Sequence, residues 1–138
     1  MITSQQKDAL VEAARAVQDK AYAPYSNYFV GAALLGADGE IYTGVNVENA
    51  SYGLTICAER TAVTKMVSMG MRQIVAVAIC AEGAVSPCGA CRQVLAEFIG
   101  DDDVPVYLMN RVGEVQATTL LTLLPMYFGP NTLKDALE

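Results

Sequence analysis

The sequence contains no histidine, no tryptophan and no cluster of basic residues among its nine Lys and Arg. Without histidine, a zinc site of mixed His and Cys ligands is excluded. A net charge of −6 without a basic patch argues against a polynucleotide substrate. No apolar run reaches the length of a membrane span. No basic segment followed by an apolar segment opens the sequence, so we expect no secretory signal.

The size and hydrophobicity of the chain favour one domain that associates with other copies. The 138 residues fit a single domain over 1–138. This length is enough to bury a core without disulfides. The hydrophobic content of 53% exceeds the usual range for soluble domains. Since no membrane span accounts for the excess, part of it is expected at a subunit interface, because obligate interfaces resemble a domain core.

Three of the four cysteines have spacings typical of a metal site. Cys88 and Cys91 form a C-x-x-C pair, and Cys57 precedes Glu59 by two residues. In a cytoplasmic protein, which we expect this to be, such a pair indicates zinc more often than a disulfide. Three protein ligands leave one coordination position for water, as catalytic zinc requires, and a nearby carboxylate can carry the water's proton. Cys80 ends an apolar run and is predicted to be a buried thiol.

The hydrophobic periodicity predicts alternating helices and strands. A capping box, Thr3 with Gln6, opens the first helix. Helices are predicted over 4–21, over 57–69, from Cys88 to just before Gly100, and from Asn131 onward. Strands are predicted over 29–35, 41–47, 74–80, 104–109 and 112–117. Five strands interleaved with helices indicate an α/β fold, a three-layer α/β/α domain around a mixed sheet.

Two motifs carry a family resemblance. Cys-Ala-Glu-Arg at 57–60 and Ser-Pro-Cys-Gly-Ala-Cys-Arg-Gln at 86–93 resemble the small cytidine deaminases that act on free nucleosides. Zinc deaminases of bases share H-x-E…P-C-x-x-C, with His/Cys/Cys or three-Cys ligands and a glutamate that is not a ligand. Lacking histidine, this sequence resembles the three-cysteine form. The resemblance covers nearly the whole chain, with further matching motifs at 23–26, 30–35, 44–52 and 123–125.

The resemblance implies a fold, an activity and a metal site. The expected reaction is the hydrolytic deamination of cytidine and 2′-deoxycytidine to the uridines with release of ammonia, as in pyrimidine salvage. Cys57, Cys88 and Cys91 would hold one Zn²⁺ per chain, with Glu59 as the catalytic proton carrier. Arg60 would donate to ligand sulfurs and offset their negative charge, where the alternative is an ordinary surface residue. The resemblance also implies a homotetramer with active sites at subunit interfaces.

Five further residues are implied in substrate binding. Asn46 and Glu48 alternate along a strand end and so point to one side. In the family, the matching pair binds the sugar, with the glutamate at the ribose 3′-hydroxyl; the alternative is a solvated edge strand. Ala58 would present its backbone to the pyrimidine. Tyr28 and Phe128 match aromatic positions near the nucleoside, Phe128 from a neighbouring subunit. Tyr28 replaces the more usual Phe, and its hydroxyl needs a partner.

Two other functions stay open at this point. One is a deaminase with the same chemistry that acts on a modified cytosine nucleoside or on a polynucleotide base. The other is a non-catalytic zinc module used for assembly. Structural zinc normally has four protein ligands, so the count of three cysteine ligands, together with the presence of Glu59, disfavours the assembly module.

Overall fold

The computed structural model describes residues 1–138 and places a five-stranded mixed sheet between two helical layers. The strands in chain order are β1 Gly31–Gly36, β2 Ile41–Val45, β3 Ile74–Cys80, β4 Pro105–Met109 and β5 Gln116–Thr119. Their order across the sheet is β2-β1-β3-β4-β5. Only β3 and β4 pair in parallel. The predicted three-layer α/β fold is confirmed.

Five helices flank or follow the sheet. They are α1 Ser4–Val17, α2 Ala58–Ser68, α3 Gly89–Ala96, α4 Leu120–Leu123 and α5 Pro130–Leu137. The predicted capping box opens α1: Thr3 N donates to Gln6 Oε1 at 2.9 Å, and Gln6 N donates to Thr3 Oγ1 at 3.0 Å. None of the helices combines the length and apolar character that crossing a bilayer requires.

Each face of the sheet carries its own hydrophobic core. On one face, α1 packs its buried residues against alternate residues of β1, β3 and β4. On the other face, α2, α3 and α4 pack against the intervening residues of the same strands. Because side chains alternate across a strand, the near-continuous apolar runs of these central strands supply both cores at once.

Helix α2 lies unusually close to the sheet, and Gly44 in β2 permits this. A Cβ atom at Gly44 would lie 2.4 Å from the backbone nitrogen of Ala62 and 2.6 Å from the backbone oxygen of Ala58. Any larger residue would therefore push α2 away from β2. The close approach fixes the first turn of α2, where Ala58 begins the helix directly after Cys57.

Two predicted strand starts are wrong by two residues or more, for the same physical reason. The predicted strand over 41–47 also ends earlier, at Val45. The predicted strand at 29–35 begins only at Gly31, since Gln18 Nε2 donates to Phe29 O and Val30 N donates to Asn46 Oδ1. Side chains thus take the hydrogen bonds that a neighbouring strand would have taken.

The last strand begins at Gln116, and not at Val112 as predicted. The Asn110 side-chain oxygen accepts from the backbone N–H of Val112 and of Gly113. Arg15 donates to the carbonyls of Asn110 and Gly113 from α1. These bonds hold a turn where hydrophobicity predicts a strand.

Candidate active site

Three cysteine sulfurs converge where α2 and α3 begin. Cys57 and Cys88 are the N-cap residues of these two helices, and Cys91 lies in the first turn of α3. Their Sγ atoms all lie within 4.8 Å of one another, and Cys88 Sγ is 3.4 Å from Cys91 Sγ. Tetrahedral zinc with Zn–S bonds of about 2.3 Å sets sulfurs about 3.8 Å apart. The spacing and the soft thiolate donors therefore fit one zinc ion.

The two helix N-termini favour thiolates at this point. Cys57 and Cys88 adopt extended backbone angles, as N-cap residues do (φ −70°, ψ 155° and φ −65°, ψ 167°). Cys88 Sγ accepts a hydrogen bond from Cys91 N at 3.5 Å. The positive end of each helix dipole stabilises negative charge in the first turn. The fold therefore compensates part of the charge that three thiolates bring together.

Hydrogen bonds within the cluster separate the acidities of its thiols. The pKa of Cys57 is lowered to about 5, chiefly by a hydrogen bond from Cys91 and then by the Arg60 guanidinium. The same hydrogen bond raises the pKa of Cys91, and burial adds to this shift. This hydrogen bond therefore favours the thiolate on Cys57 over the thiolate on Cys91.

The Arg60 side chain contacts the cluster from α2. Its Nη2 donates to Cys57 Sγ at 3.4 Å, as the predicted role requires. Its Nε is buried without a hydrogen-bond partner, which is rare for buried polar groups. The guanidinium thus has a further donor available beside the sulfurs, where three thiolates on a divalent ion leave a net negative charge.

A cavity of about 210 Å³ opens beside Cys57 and Cys88. Six of the predicted site residues line it, namely these two cysteines with Tyr28, Asn46, Ala58 and Glu59. The remaining wall is formed by residues that sequence reasoning did not select, since the apolar ones look like ordinary core or loop residues. The complete lining beyond the two cysteines is Tyr28, Val30, Asn46, Thr55, Ala58, Glu59, Ile79, Val85 and Ser86. A larger cavity of about 470 Å³ lies near Gln18 and Arg111, away from the sulfurs, so chemistry and not size identifies the site.

Glu59 is the buried acid of this cavity. Its side chain is only 5% exposed, in the first turn of α2. Burial raises the pKa of its carboxyl, and the charge of Cys57 adds to the increase. The shift brings the pKa of the carboxyl closer to neutral pH, and a group with such a pKa can both accept and donate a proton. Its position two residues after a sulfur ligand suits proton transfer at the metal site.

Asn46 and Glu48 both face the segment 25–30. Asn46 Oδ1 accepts from Val30 N at 2.9 Å, and Asn46 Nδ2 donates to Tyr28 O at 2.8 Å. Glu48 lines a neighbouring cavity of about 370 Å³, together with Tyr25, Ser26, Tyr52 and Thr55. Thr55 lines both cavities, so the two spaces adjoin.

The two predicted aromatic residues differ in position. Tyr28 lines the cavity beside Glu59. Phe128 is 58% exposed and does not line the cavity of its own chain, while its carbonyl accepts from Gln93 Nε2 at 2.7 Å.

Cys80 is fully buried and donates to Gln18 Oε1 at 3.3 Å, so the fourth cysteine lies outside the cluster.

Arg92 supports the site in a way that sequence reasoning missed. Its guanidinium donates to Pro87 O at 2.8 Å and to Ser86 Oγ at 2.9 Å, directly before Cys88. It also donates to Leu123 O at 2.7 Å. The bonds hold the segment before Cys88 against the chain near α4. No local signal predicts them, because Leu123 is distant in sequence.

The sequence matches a family model described as "Cytidine and deoxycytidylate deaminase zinc-binding region" over residues 4–108. A cytidine deaminase from Sporosarcina psychrophila is 50% identical over 133 residues, covering 95% of this chain and 97% of the relative. A cytidine deaminase from Mycobacterium tuberculosis is 45% identical over 119 residues, covering 82% of each protein.

The fold is also similar to solved structures. The crystal structure of a cytidine deaminase from Burkholderia pseudomallei aligns with a TM-score of 0.81 at 48% identity, covering 92% of this chain and all of the other. A cytidine deaminase structure from M. tuberculosis aligns with a TM-score of 0.77 at 40% identity, covering 89% of this chain and 97% of the other.

Zinc content should separate the four cysteines. Replacing Cys57, Cys88 or Cys91 by Ala removes one of three sulfurs and should reduce bound zinc well below one ion per chain. Cys80→Ala is the matched control, since its sulfur lies outside the cluster. Metal analysis of the purified variants, with circular dichroism to verify folding, measures the effect. Full zinc occupancy in Cys88→Ala, or loss of zinc from folded Cys80→Ala, would contradict the assignment.

Proposed function

The chain belongs to the family of cytidine and deoxycytidylate deaminases, and from this premise we propose that it deaminates free cytidine and 2′-deoxycytidine. Water is consumed, the bond between C4 and the amine breaks, and uridine or 2′-deoxyuridine leaves with ammonia. The observation that carries the proposal is a buried carboxyl, Glu59, in a cavity lined by two sulfurs of a three-sulfur cluster. We assign the activity to one domain over 1–138, to pyrimidine salvage and to the cytoplasm.

The sulfur cluster supplies the metal site of this mechanism. Cys57, Cys88 and Cys91 would hold one zinc ion, which when bound acts as a Lewis acid and lowers the pKa of water toward about 7. Arg60 donates to Cys57 Sγ and so withdraws charge from a ligand. The positive ends of the two helix dipoles also offset the negative charge of the thiolates. Together these groups limit the loss of Lewis acidity that three thiolates cause.

Glu59 carries the protons of the reaction. As a carboxylate it takes a proton from the attacking water, and it then donates that proton to N3 of the cytosine ring. It carries a second proton from the new hydroxyl at C4 to the departing amine. Burial and a raised pKa suit a group that changes protonation state within one turnover.

The two adjoining cavities suggest how a nucleoside is oriented. The 210 Å³ cavity has apolar walls at Val30 and Ile79 and the Tyr28 ring at its edge, and we place the pyrimidine there against Ala58. Asn46 lies at the same cavity, and Glu48 faces the neighbouring one. The sugar then extends past Thr55 toward Glu48, which accepts the 3′-hydroxyl.

Exposed apolar groups support a homotetramer with active sites at subunit interfaces. Tyr52, Leu54 and Phe128 are 74%, 66% and 58% exposed. Helix α5 buries none of its residues within the chain. Such surface is expected to be covered by other subunits. Phe128 then completes the cavity of a neighbour, and the number of four rests on the family resemblance.

Glu59→Gln should keep zinc and fold but lose most turnover, because the amide cannot carry protons. A positioned acid or base contributes about 10²–10⁴-fold, and a group that serves several transfers should reach or exceed this range. The decrease in absorbance of cytidine measures turnover, and metal analysis verifies zinc. Glu12→Gln, on the exposed face of α1, is the control. Near-normal turnover of zinc-loaded Glu59→Gln would refute the role.

The substrate should be the free nucleoside. We expect cytidine and 2′-deoxycytidine to differ by less than about tenfold in kcat/KM, since Glu48 is assigned to the 3′-hydroxyl and no group to the 2′-hydroxyl. Cytidine 5′-monophosphate and a cytosine-containing oligonucleotide should be far poorer, because the chain is acidic and has no basic cluster. A strong chelator should abolish all turnover. Equal use of the monophosphate or of the oligonucleotide would overturn the assignment.

Subunit complementation should test the position of Phe128. Phe128→Ala and Glu59→Gln should each impair turnover when assembled alone. Random reassembly of an equal mixture should restore about a quarter of the sites, in which Glu59 and a neighbour's Phe128 are both intact. Val112→Ala, 90% exposed on another loop, is the control for surface truncation. A fully active monomer in light scattering, or no recovery on mixing, would contradict the shared site.

A further inference from the structure

The Ser26 hydroxyl joins two parts of the substrate-binding region. It donates to Oε2 of Glu48 and accepts from the backbone N–H of Tyr28 at 3.0 Å. The N–H groups of Tyr25 and Ser26 donate to the other oxygen of Glu48, at 2.9 and 3.1 Å. Glu48 therefore receives three hydrogen bonds from a single turn of chain, and one of them comes from a side chain.

The acceptor capacity of Glu48 limits what else it can bind. An ionised carboxylate offers about four acceptor positions, two on each oxygen. Both positions on Oε1 are taken by backbone N–H groups, and one on Oε2 is taken by Ser26. One position on Oε2 remains. It suffices for one substrate hydroxyl and not for a vicinal pair.

We propose that Ser26 is a positioning residue that orients the Glu48 carboxylate so that its one free acceptor position meets a single sugar hydroxyl. The inference rests on the proposed function, in which that hydroxyl is the ribose 3′-hydroxyl. Ser26 acts on the substrate only through Glu48. The two backbone donors fix Oε1, and the Ser26 hydroxyl fixes the rotation of the carboxyl plane, which sets the direction of the free position.

The surroundings of Ser26 agree with this role. Hydrogen bonding by the Ser26 side chain is the largest cause of the lowered pKa of Glu48, which keeps the carboxylate ionised as a pure acceptor. Ser26 is exposed, so a water molecule can replace its hydroxyl when it is removed. Even if that water accepts from the Tyr28 N–H, it is not covalently attached to the chain, so it holds the carboxyl plane less firmly than the Ser26 hydroxyl does.

The experiment compares cytidine with 3′-deoxycytidine in zinc-loaded wild type, Ser26→Ala, Ser26→Thr and Ser68→Ala. The preference for cytidine, as a ratio of kcat/KM values, should fall about tenfold or more in Ser26→Ala, the usual effect of a hydrogen bond to a charged group. Ser26→Thr keeps the hydroxyl and should keep the preference. Ser68 is exposed at the end of α2 and makes no side-chain hydrogen bond, so Ser68→Ala should match wild type.

An equal loss of activity on cytidine and on 3′-deoxycytidine would have a different meaning. If Ser26→Ala slows both substrates equally, the hydroxyl acts through the Tyr28 backbone or on the fold, and the proposal is overturned. The proposal is also overturned if wild type strongly prefers cytidine and Ser26→Ala has the same ratio of kcat/KM values as wild type. A zinc-loaded wild type that does not deaminate cytidine contradicts the proposed function itself.

A second measurement is independent of activity. Carbon-detected NMR titration of the Glu48 carboxyl should show a higher pKa in Ser26→Ala than in wild type, with Ser26→Thr unchanged, because the strongest donor to the carboxylate is lost. An identical Glu48 pKa in Ser26→Ala and wild type would show that Ser26 does not hold the carboxylate, whatever the substrate.

Discussion

The convergence of two helix N-termini on one point is the constraint on which the rest of the site depends. Cys57 and Cys88 are the residues from which α2 and α3 start, so the helices cannot shift without separating the sulfurs. Gly44 lets α2 lie directly on β2, and Arg92 holds the segment before Cys88. The distances between the three sulfurs therefore depend on how the helices pack on the sheet, and not on the cysteines alone.

Charge balance explains which polar groups surround the cluster. Three thiolates, a divalent ion and the Glu59 carboxyl would leave an excess of negative charge in a poorly hydrated place, where unpaired charge is costly. Two helix dipoles and Arg60 offset it. Burial is the main cause of the raised pKa of Glu59, and the charge of Cys57 adds to this shift. The raised pKa makes this carboxyl easier to protonate, which suits the proton-carrying role that we propose for Glu59.

The proposed substrate-binding side of the site depends on a different feature, the segment 25–30. Its backbone is held mainly by side chains: Asn46 binds its end, where the Asn46 N–H also donates to Val30 O, and Glu48 with Ser26 binds its turn. Tyr28 is part of this segment, so one set of hydrogen bonds holds both the Tyr28 ring at the cavity beside Glu59 and the Glu48 carboxylate at the neighbouring cavity. Asn46, the buried member of this network, has both polar groups of its amide satisfied, which favours a single arrangement of the segment.

The sequence by itself determined the elements and the chemistry: the capping box of α1, the α/β layers and a C-x-x-C pair whose spacing brings two sulfurs together within one helical turn. These features are local, and local patterns report local geometry. Tertiary structure decided that Cys57 lies beside Cys88 and that Arg92 donates to Leu123 O. It also decided that Ser26 donates to Glu48 and that Phe128 does not line the cavity of its own chain. The last strand begins only at Gln116, because Asn110 and Arg15 hold the preceding residues in a turn. The physical reason is that each of these contacts depends on side-chain hydrogen bonds or packing between distant segments, which no periodicity along the chain encodes.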